Sequence, residues 1–557
     1  MKRVISWLLA AVLAAMLAVP AGAVYMDIPA GSALSGEVQK AVQYGLMEGY
    51  SASRFGYGDP MTRAQFVTVL DRMLGWSHGD ETLMGHITPA MEVDPPSRNT
   101  EKSVSSAYYT AIDHGAERDV VDRDVPFRPN DSIIRGEMAE MLVRALGLKS
   151  AAALAERQST LPFSDVTNRQ GYIAVAYAIG MTNGTSASTF SPGRTATRAQ
   201  AAAMLVRIHE KLSQKTGSVH GFYASGSYGQ LPLSNYVDAV SVGWSRMTWD
   251  GERARLATTS AGGNEYFIPT GYQEVADYLA EGRTRLHLNV YMDGGAPREL
   301  LASPEGRTQA VSEIVNELTV SYRQLGRNPY NGVTVDFEGL RAASRDEFTA
   351  FLTELGREVH GMGKTLYVCV SPVLLSGPYY DGYDYRAIAD LADQVILMAY
   401  DYDARDLSGF EGTEYYKNIT PAPIDQVFMS LEAIASQVRD PGKIALGFSS
   451  KNIAWQIEAD QRLVSGKPLY PSNETLYKRL EQPDTIHGWS DSYQTSYAIY
   501  TTEDGRRYFA WYDNSNSVQV KLNAAKLLGI TDVSIWRFGI VPTMAGFNFN
   551  WMNLLTS

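Results

Sequence analysis

From Val219 to the C-terminus, short β-branched or aromatic runs alternate with segments of helical period, and eight runs can be counted. They are Val219–Ala224, Ala239–Trp244, Arg285–Tyr291, Gly332–Phe337, Thr365–Ser371, Gln394–Tyr400, Ile444–Phe448 and Val533–Trp536. Thr308–Leu325 and Arg345–Met362 are two of the helical segments between them. A helix between successive strands returns the chain to run in the same direction, so the strands must be parallel. Eight such units predict a closed (β/α)₈ barrel, an α/β fold whose functional residues gather at the C-terminal strand ends. A barrel needs only ~250 residues, so the surplus lies in insertions, the largest at about 451–525 between the seventh and eighth strands. It carries a hairpin signal in Tyr497–Thr502, Asp504-Gly505 and Tyr508–Tyr512, which predicts a small α+β lobe.

The fourth strand reads Tyr330-Asn-Gly-Val-Thr-Val-Asp336-Phe-Glu338. The period of two turns Thr334, Asp336 and Glu338 to the barrel interior and Val333, Val335 and Phe337 outward. A carboxyl at the end of an apolar strand is costly unless it has a partner or a task. The sixth strand likewise ends in polar groups, Met398-Ala-Tyr400-Asp401-Tyr402.

These two motifs together resemble glycoside hydrolase family 18, whose fourth strand runs Asp-Gly-x-Asp-x-Asp-x-Glu and whose sixth runs Met-x-Tyr-Asp. The first run, Val219-His-Gly-Phe-Tyr223, and the last, Val533-Ser-Ile-Trp536-Arg537, also fit. The resemblance implies a substrate-assisted, retaining cleavage of β-1,4 bonds beside N-acetylglucosamine. In it Glu338 protonates the leaving oxygen and later activates water, Asp336 orients the 2-acetamido group that attacks, and Tyr400 bonds the acetamide oxygen. Asp401, Met398, Tyr402, Tyr223 and Trp511 are the implied substrate contacts, with Trp536 as the pocket floor. No cofactor or metal is implied, and no clustered His or Cys ligands suggest one. Asn331 and Thr334 stand where the family carries two further aspartates. Loss of the middle carboxylate removes a like charge beside Asp336, so Asp336 is expected to be ionised at rest. The non-acidic middle residue, with Tyr508-Phe-Ala-Trp-Tyr-Asp513, is similar to the spore and peptidoglycan-directed branch. Trp455, Trp489 and Trp511 either stack on sugar rings or pack the inserted lobe.

The N-terminal third repeats a pattern three times: a glycine turn, an aromatic, and an arginine motif that opens a helix. Its marks are Phe55 with Thr62-Arg63-Ala-Gln65, Phe127 with Ile134-Arg135-Gly-Glu137, and Phe190 with Thr197-Arg198-Ala-Gln200. The arginines are 72 and 63 residues apart. Threonine followed three residues later by glutamine is a capping box, but capping does not call for the arginine. These residues, with Phe163-Ser-Asp-Val166, resemble S-layer homology repeats, mostly α-helical units that bind a secondary cell-wall polymer. By that resemblance Arg63, Arg135 and Arg198 face the anionic polymer. The expected division is a signal peptide at 1–23, repeats at 24–80, 81–158 (degenerate) and 159–214, and the barrel at 218–557.

Lys2-Arg3, an apolar Ile5–Val19 and Ala21-Gly-Ala23 have the layout of a secretory leader, too short in its apolar core for a ~20-residue span. The chain is thus expected to be exported, attached to a Gram-positive-type wall, and free of membrane after cleavage. The net charge of −12 argues against nucleic-acid partners. Cys369 is the one cysteine and reads as buried and structural. The expected substrate is an N-acetylated glycan, with peptidoglycan first, chitin or a host N-glycan as rivals, and an inactive wall-bound glycan-binding protein as the reading of another class.

Overall fold

A computed structural model describes residues 25–76, 106–158, 161–374 and 380–556; the expected leader at 1–23 lies outside them. The chain divides into two compact units: a smaller one drawn from the residues up to Lys211, and a larger one from Leu212 onward that also takes in Gly147–Leu154.

The larger unit opens with β1 (Val219–Tyr223), β2 (Ala239–Trp249), the short β3 (Ala254–Ala257) and β4 (Arg285–Met292). It continues through β5 (Gly332–Phe337), β6 (Thr365–Val370), β7 (Gln394–Leu397) and β8 (Ile444–Ser449). A lobe of β9 (Ile453–Ile457), β10 (Ile486–Ser490), β11 (Thr495–Thr501) and β12 (Arg507–Tyr512) follows, and β13 (Asp532–Trp536) ends the series. Strands β1, β2, β4, β5, β6, β7, β8 and β13 pair in parallel, and β13 pairs with β1 to close an eight-stranded barrel. All eight expected runs form its staves. The β3 strand folds back antiparallel on the end of β2.

Alternation on β5 is as the sequence requires. Phe337 faces out and stacks on Phe351 of the helix Arg345–Gly361, with centroids 5.4 Å apart, a burial worth about 1.5–3 kcal/mol per ring. The preceding helix is Pro304–Thr319 rather than the expected Thr308–Leu325. Asn328 donates to the carbonyls of Glu317 (2.9 Å) and Val320 (2.8 Å), which satisfies the helix end and stops it early. Strand β7 is shorter than expected because Ala399 N–H and Tyr400 N–H turn back to the carbonyls of Leu397 and Met398 (3.0 and 2.9 Å). That local turn takes Tyr400 out of the ladder.

The lobe is a four-stranded antiparallel sheet, order β10-β11-β12-β9, with the helix Asn473–Leu480 against it. Helix Ser515–Leu527 returns to the barrel, packing on Ile424–Ala435 and β8.

In the N-terminal unit the helices Arg63–Leu74, Arg135–Ala145 and Arg198–Leu212 each follow an arginine motif. The residues before them interlock in a ring. Ile133 N–H donates to Met61 (2.8 Å), Met61 N–H to Ala196 (3.0 Å), and Ala196 N–H to Ile133 (3.2 Å). The arginines continue the ring inward: Arg63 Nε donates to the Phe127 carbonyl (2.6 Å), Arg135 Nε to Phe190 (2.9 Å) and Arg198 Nε to Phe55 (3.1 Å). Each guanidinium also lies 4.8–5.0 Å from the centroid of that same phenylalanine. The expectation that all three face a polymer is therefore corrected. Arg135 and Arg198 are each 5% exposed, committed to carbonyls that the neighbouring motif's loop points at them. Arg63 is the exception, pairing with Glu137 at 2.5 Å on the wall of a groove of about 270 Å³ shared with Arg128, Arg144 and Arg169. In the middle motif Ile134 has no side-chain acceptor, so the capping box is reduced to Ile134 N–H donating to Glu137 (3.3 Å).

Candidate active site

The barrel interior below the mouth is a buried polar layer. His220 Nδ1 lies 2.8 Å from Ser534 Oγ and its Nε2 2.7 Å from Ser241 Oγ. Ser241 Oγ is 2.6 Å from Thr334 Oγ1, which is 3.3 Å from His287 Nδ1, and His287 Nε2 is 2.9 Å from Thr365. Burial drives both imidazoles down, His220 to about 3, so both are neutral and the hydroxyls satisfy them. Thr334, where the family resemblance expects a carboxylate, belongs to this layer.

Asp336 stands one inward step above. It is 2% exposed, and its Oδ1 has no hydrogen-bond partner in the protein. Burial raises its pKa, opposed by Asn289 and Cys369 and reinforced by Asp401 and Asp293. Against the expectation of an ionised Asp336 works its desolvation, which raises the pKa even though the middle carboxylate's repulsion is absent. Glu338, just past β5, is held by its N–H donating to the Met292 carbonyl (2.9 Å). Its carboxyl is also raised, first by burial and then by the charge of Asp336. Two acids at one strand end, both shifted up, make a pair that shares protons rather than two independent carboxylates.

Tyr400 is buried beside them, near enough to both to feel their charge. Its ring occupies the space above Gly447, where a Cβ would come within 2.7 Å of Cε1; a larger residue on β8 would displace it. Met398 is buried at 7% exposure. Asp401 reaches the mouth with a 61% exposed side chain, 3.7 Å from Lys451, which pairs more closely with Asp403 at 2.8 Å. Trp536 ends β13, partly exposed, and its ring meets Phe222 edge-on at 5.0 Å. Tyr223 ends β1 on a hollow of about 360 Å³ lined also by Tyr228, Trp244 and Glu265.

Two expected contacts lie elsewhere. Tyr402 turns against the helix Ile424–Ala435, with its hydroxyl 2.6 Å from Ser430 Oγ and donating to the Gln426 carbonyl (3.1 Å). Trp511 is 2% exposed inside the lobe, packed with Trp455 and Phe509, and its indole N–H donates to the Tyr416 carbonyl (3.3 Å). Cys369 is buried, as expected.

Sequence reasoning missed a wall of the mouth. Tyr291 at the end of β4 stacks on Tyr266 at 4.4 Å, Arg246 lies over both rings at 5.2 and 5.8 Å, and Arg246 pairs with Asp293. Both tyrosines sense the charge of Glu338. The strand-end rule that found Glu338 also marks Tyr291 and Asp293; nothing local marks Tyr266, which comes from a loop. Among the described residues no group of three or more His, Cys, Asp or Glu is placed to hold a metal ion. No described helix is long and apolar enough to cross a membrane.

The profile of glycosyl hydrolases family 18 matches residues 274–539, and that of the S-layer homology domain matches 25–67 and 162–202. The chain is similar to the cortical fragment-lytic enzyme of Bacillus subtilis, 24% identical over 43% of this chain and 52% of that one. It is also similar to the Bacillus cereus enzyme of the same name, 26% identical over 52% and 63%. The chain thus spans little more than half the length of these curated relatives. Among solved structures it is similar to the Bacillus cereus spore cortex-lytic enzyme SleL, with TM-score 0.47 and 19% identity over 62% of this chain and 75% of that one. The chain carries a glycoside hydrolase family 18 domain and S-layer homology domains.

Proposed function

We propose, with the family 18 domain as premise, that this protein is a retaining glycosidase that cleaves peptidoglycan beside N-acetylglucosamine while its repeats hold it on the wall. The observation that carries the reading is the pair of acids at the end of β5, Asp336 buried and Glu338 half-buried, with Tyr400 beside them. Burial keeps Glu338 protonated near neutral pH, which is what a general acid requires. Glu338 gives its proton to the leaving glycosidic oxygen as the substrate's acetamide oxygen attacks the anomeric carbon. The resulting oxazolinium is cationic, and Asp336 supplies the matching charge, while the Tyr400 hydroxyl donates to the acetamide oxygen. Glu338, now a carboxylate, takes a proton from water, which opens the oxazolinium with retention of configuration. Asp401 and Trp536 hold the sugar at the mouth, and the relatives named for cortex lysis favour peptidoglycan over chitin as substrate. The middle arginine motif, outside the matched S-layer segments, is the third repeat of the same ring. The anionic wall polymer is taken by the groove at Arg63, Arg128, Arg144 and Arg169, where guanidinium groups remain partly accessible.

The test compares wild type with Glu338→Gln on purified peptidoglycan and on chitin oligomers, reading released reducing ends. Release from peptidoglycan, reduced at least a hundredfold by the substitution, is the expected result. Release from chitin alone would move the substrate to chitin. No release from either glycan would overturn hydrolysis of both in favour of N-glycan cleavage or binding without turnover.

A further inference from the structure

Asn289 sits on β4 with its side chain 1% exposed, and neither its amide nitrogen nor its amide oxygen has a hydrogen-bond partner in the protein. An amide unsatisfied at both ends in a closed interior is costly, unless another state of the site makes use of it. Strand register shows which group is near. Asn289 pairs with Thr334 and Tyr291 with Asp336, so Asn289 is on the neighbouring stave, one inward step below Asp336. Thr334, at the same level on Asp336's own strand, is turned away to Ser241 at 2.6 Å. Asp336 thus has no side chain of β5 beneath it to hold it, and its Oδ1 is as unpartnered as the Asn289 amide. The two side chains are close enough that Asn289 favours the charged form of Asp336. On the other flank, Val335 pairs with Val368, which places Cys369 of β6 beside Asp336.

We infer that Asn289 is the positioning residue of Asp336: its amide N–H receives the carboxylate when Asp336 takes up its charge in the reaction, in place of the middle carboxylate that β5 lacks. A neutral donor steers Asp336 without adding a second negative charge to the pair it forms with Glu338. The amide N–H bonds the carboxylate form of Asp336, which is the form that matches the charge developing on the acetamide. The inference rests on the family 18 reading of the site.

The decisive variant is Asn289→Leu, which keeps the side-chain shape and removes the amide. If the amide were only an unsatisfied core group, the variant would be at least as stable and equally active. The inference expects unchanged or higher thermal stability with kcat reduced at least tenfold and KM within threefold. It also expects the acid limb of the kcat/KM profile to move to higher pH, because a lost donor disfavours the carboxylate. Asn289→Asp, which adds a charge, should move the limb further the same way, and Asn289→Ser, which keeps a donor, should recover part of the rate. An Asn289→Leu profile that superimposes on wild type overturns the inference. Carbon-13 NMR of aspartate-labelled protein, with the Asp336 signal identified by its loss in Asp336→Asn, gives a second readout that needs no substrate. There the Asp336 titration should shift to higher pH in Asn289→Leu, and an unmoved titration overturns the inference too. Retention of hydrolysis by Glu338→Gln would instead remove the reading on which the inference rests, leaving the NMR result to stand alone.

Discussion

Charged side chains are buried in both units of this protein, and they are treated in opposite ways. In the repeat ring, Arg135 directs its guanidinium to the Phe190 carbonyl (2.9 Å) and the Thr182 hydroxyl (3.1 Å) and lies over the Phe190 ring. In the barrel, Asp336 leaves an oxygen without any partner, and burial followed by the charge of Asp336 pushes the Glu338 carboxyl up. A buried charge whose hydrogen-bonding capacity is used up by backbone is part of the fold. One left open toward a cavity is held at a cost and is available for chemistry.

The comparison can be broken at several points. The largest effect is expected from Asp336→Asn, with hydrolysis of the cleaved glycan falling about 10²–10³-fold while the folded unit is preserved, as judged by circular dichroism; an active variant would put Asp336 among structural groups. Arg135→Ala should do the reverse. It should cost the N-terminal unit about 2–4 kcal/mol, because two acceptors lose a charged donor and a ring loses its stacking partner, read as a lowered transition in calorimetry. Hydrolysis of soluble oligomers should be untouched.

A third outcome tests the open acid directly. An acid whose folded-state pKa is raised contributes stability while both states are protonated and loses it as pH climbs to the folded value. For Glu338, pushed up to about 8 from 4.5, that loss accumulates between those two values and is complete above about pH 8. Glu338→Gln should therefore match wild type near pH 4 and exceed it by about 1–3 kcal/mol at pH 9, measured by urea unfolding. Equal stability at both pH values would mean that Glu338 is not held protonated. The smallest effect sharpens the lobe's place in the comparison. Trp511→Phe should lower stability by about 1 kcal/mol and leave glycan hydrolysis within twofold, since the ring packs the lobe core rather than the sugar.

Much of the barrel was legible because its rules are local. A period of two along Gly332–Phe337 turns Asp336 inward and Phe337 outward regardless of what lies across the sheet, and the end of a parallel stave is the end that faces the site. The lobe hairpin was legible for the same reason, since its turn, closed by Thr502 N–H donating to the Arg506 carbonyl (2.8 Å) with Gly505 at φ 80°, is written in a few consecutive positions. The role of Trp511 was not, because a buried indole and a sugar-stacking indole share one local pattern. Tyr402 failed similarly: as the next polar residue after Asp401 it looked like part of the mouth, but Ser430 and Gln426 on a following helix claim its hydroxyl.

By itself the sequence determined the order of strands and helices, the inward set on each stave and the presence of paired acids, all of which follow from periods and spacings within a few residues. The tertiary structure alone decided which buried polar groups are spent and which stay open. Arg135 meets its acceptor 55 positions along the chain, and Thr334 meets Ser241 across 93. Hydrogen bonding is short-ranged and directional, so whether a side chain is satisfied depends on which distant segment the fold brings within about 3 Å of it. Asn289 shows the limit most clearly: nothing around it in the chain distinguishes a satisfied core amide from one left waiting beneath Asp336.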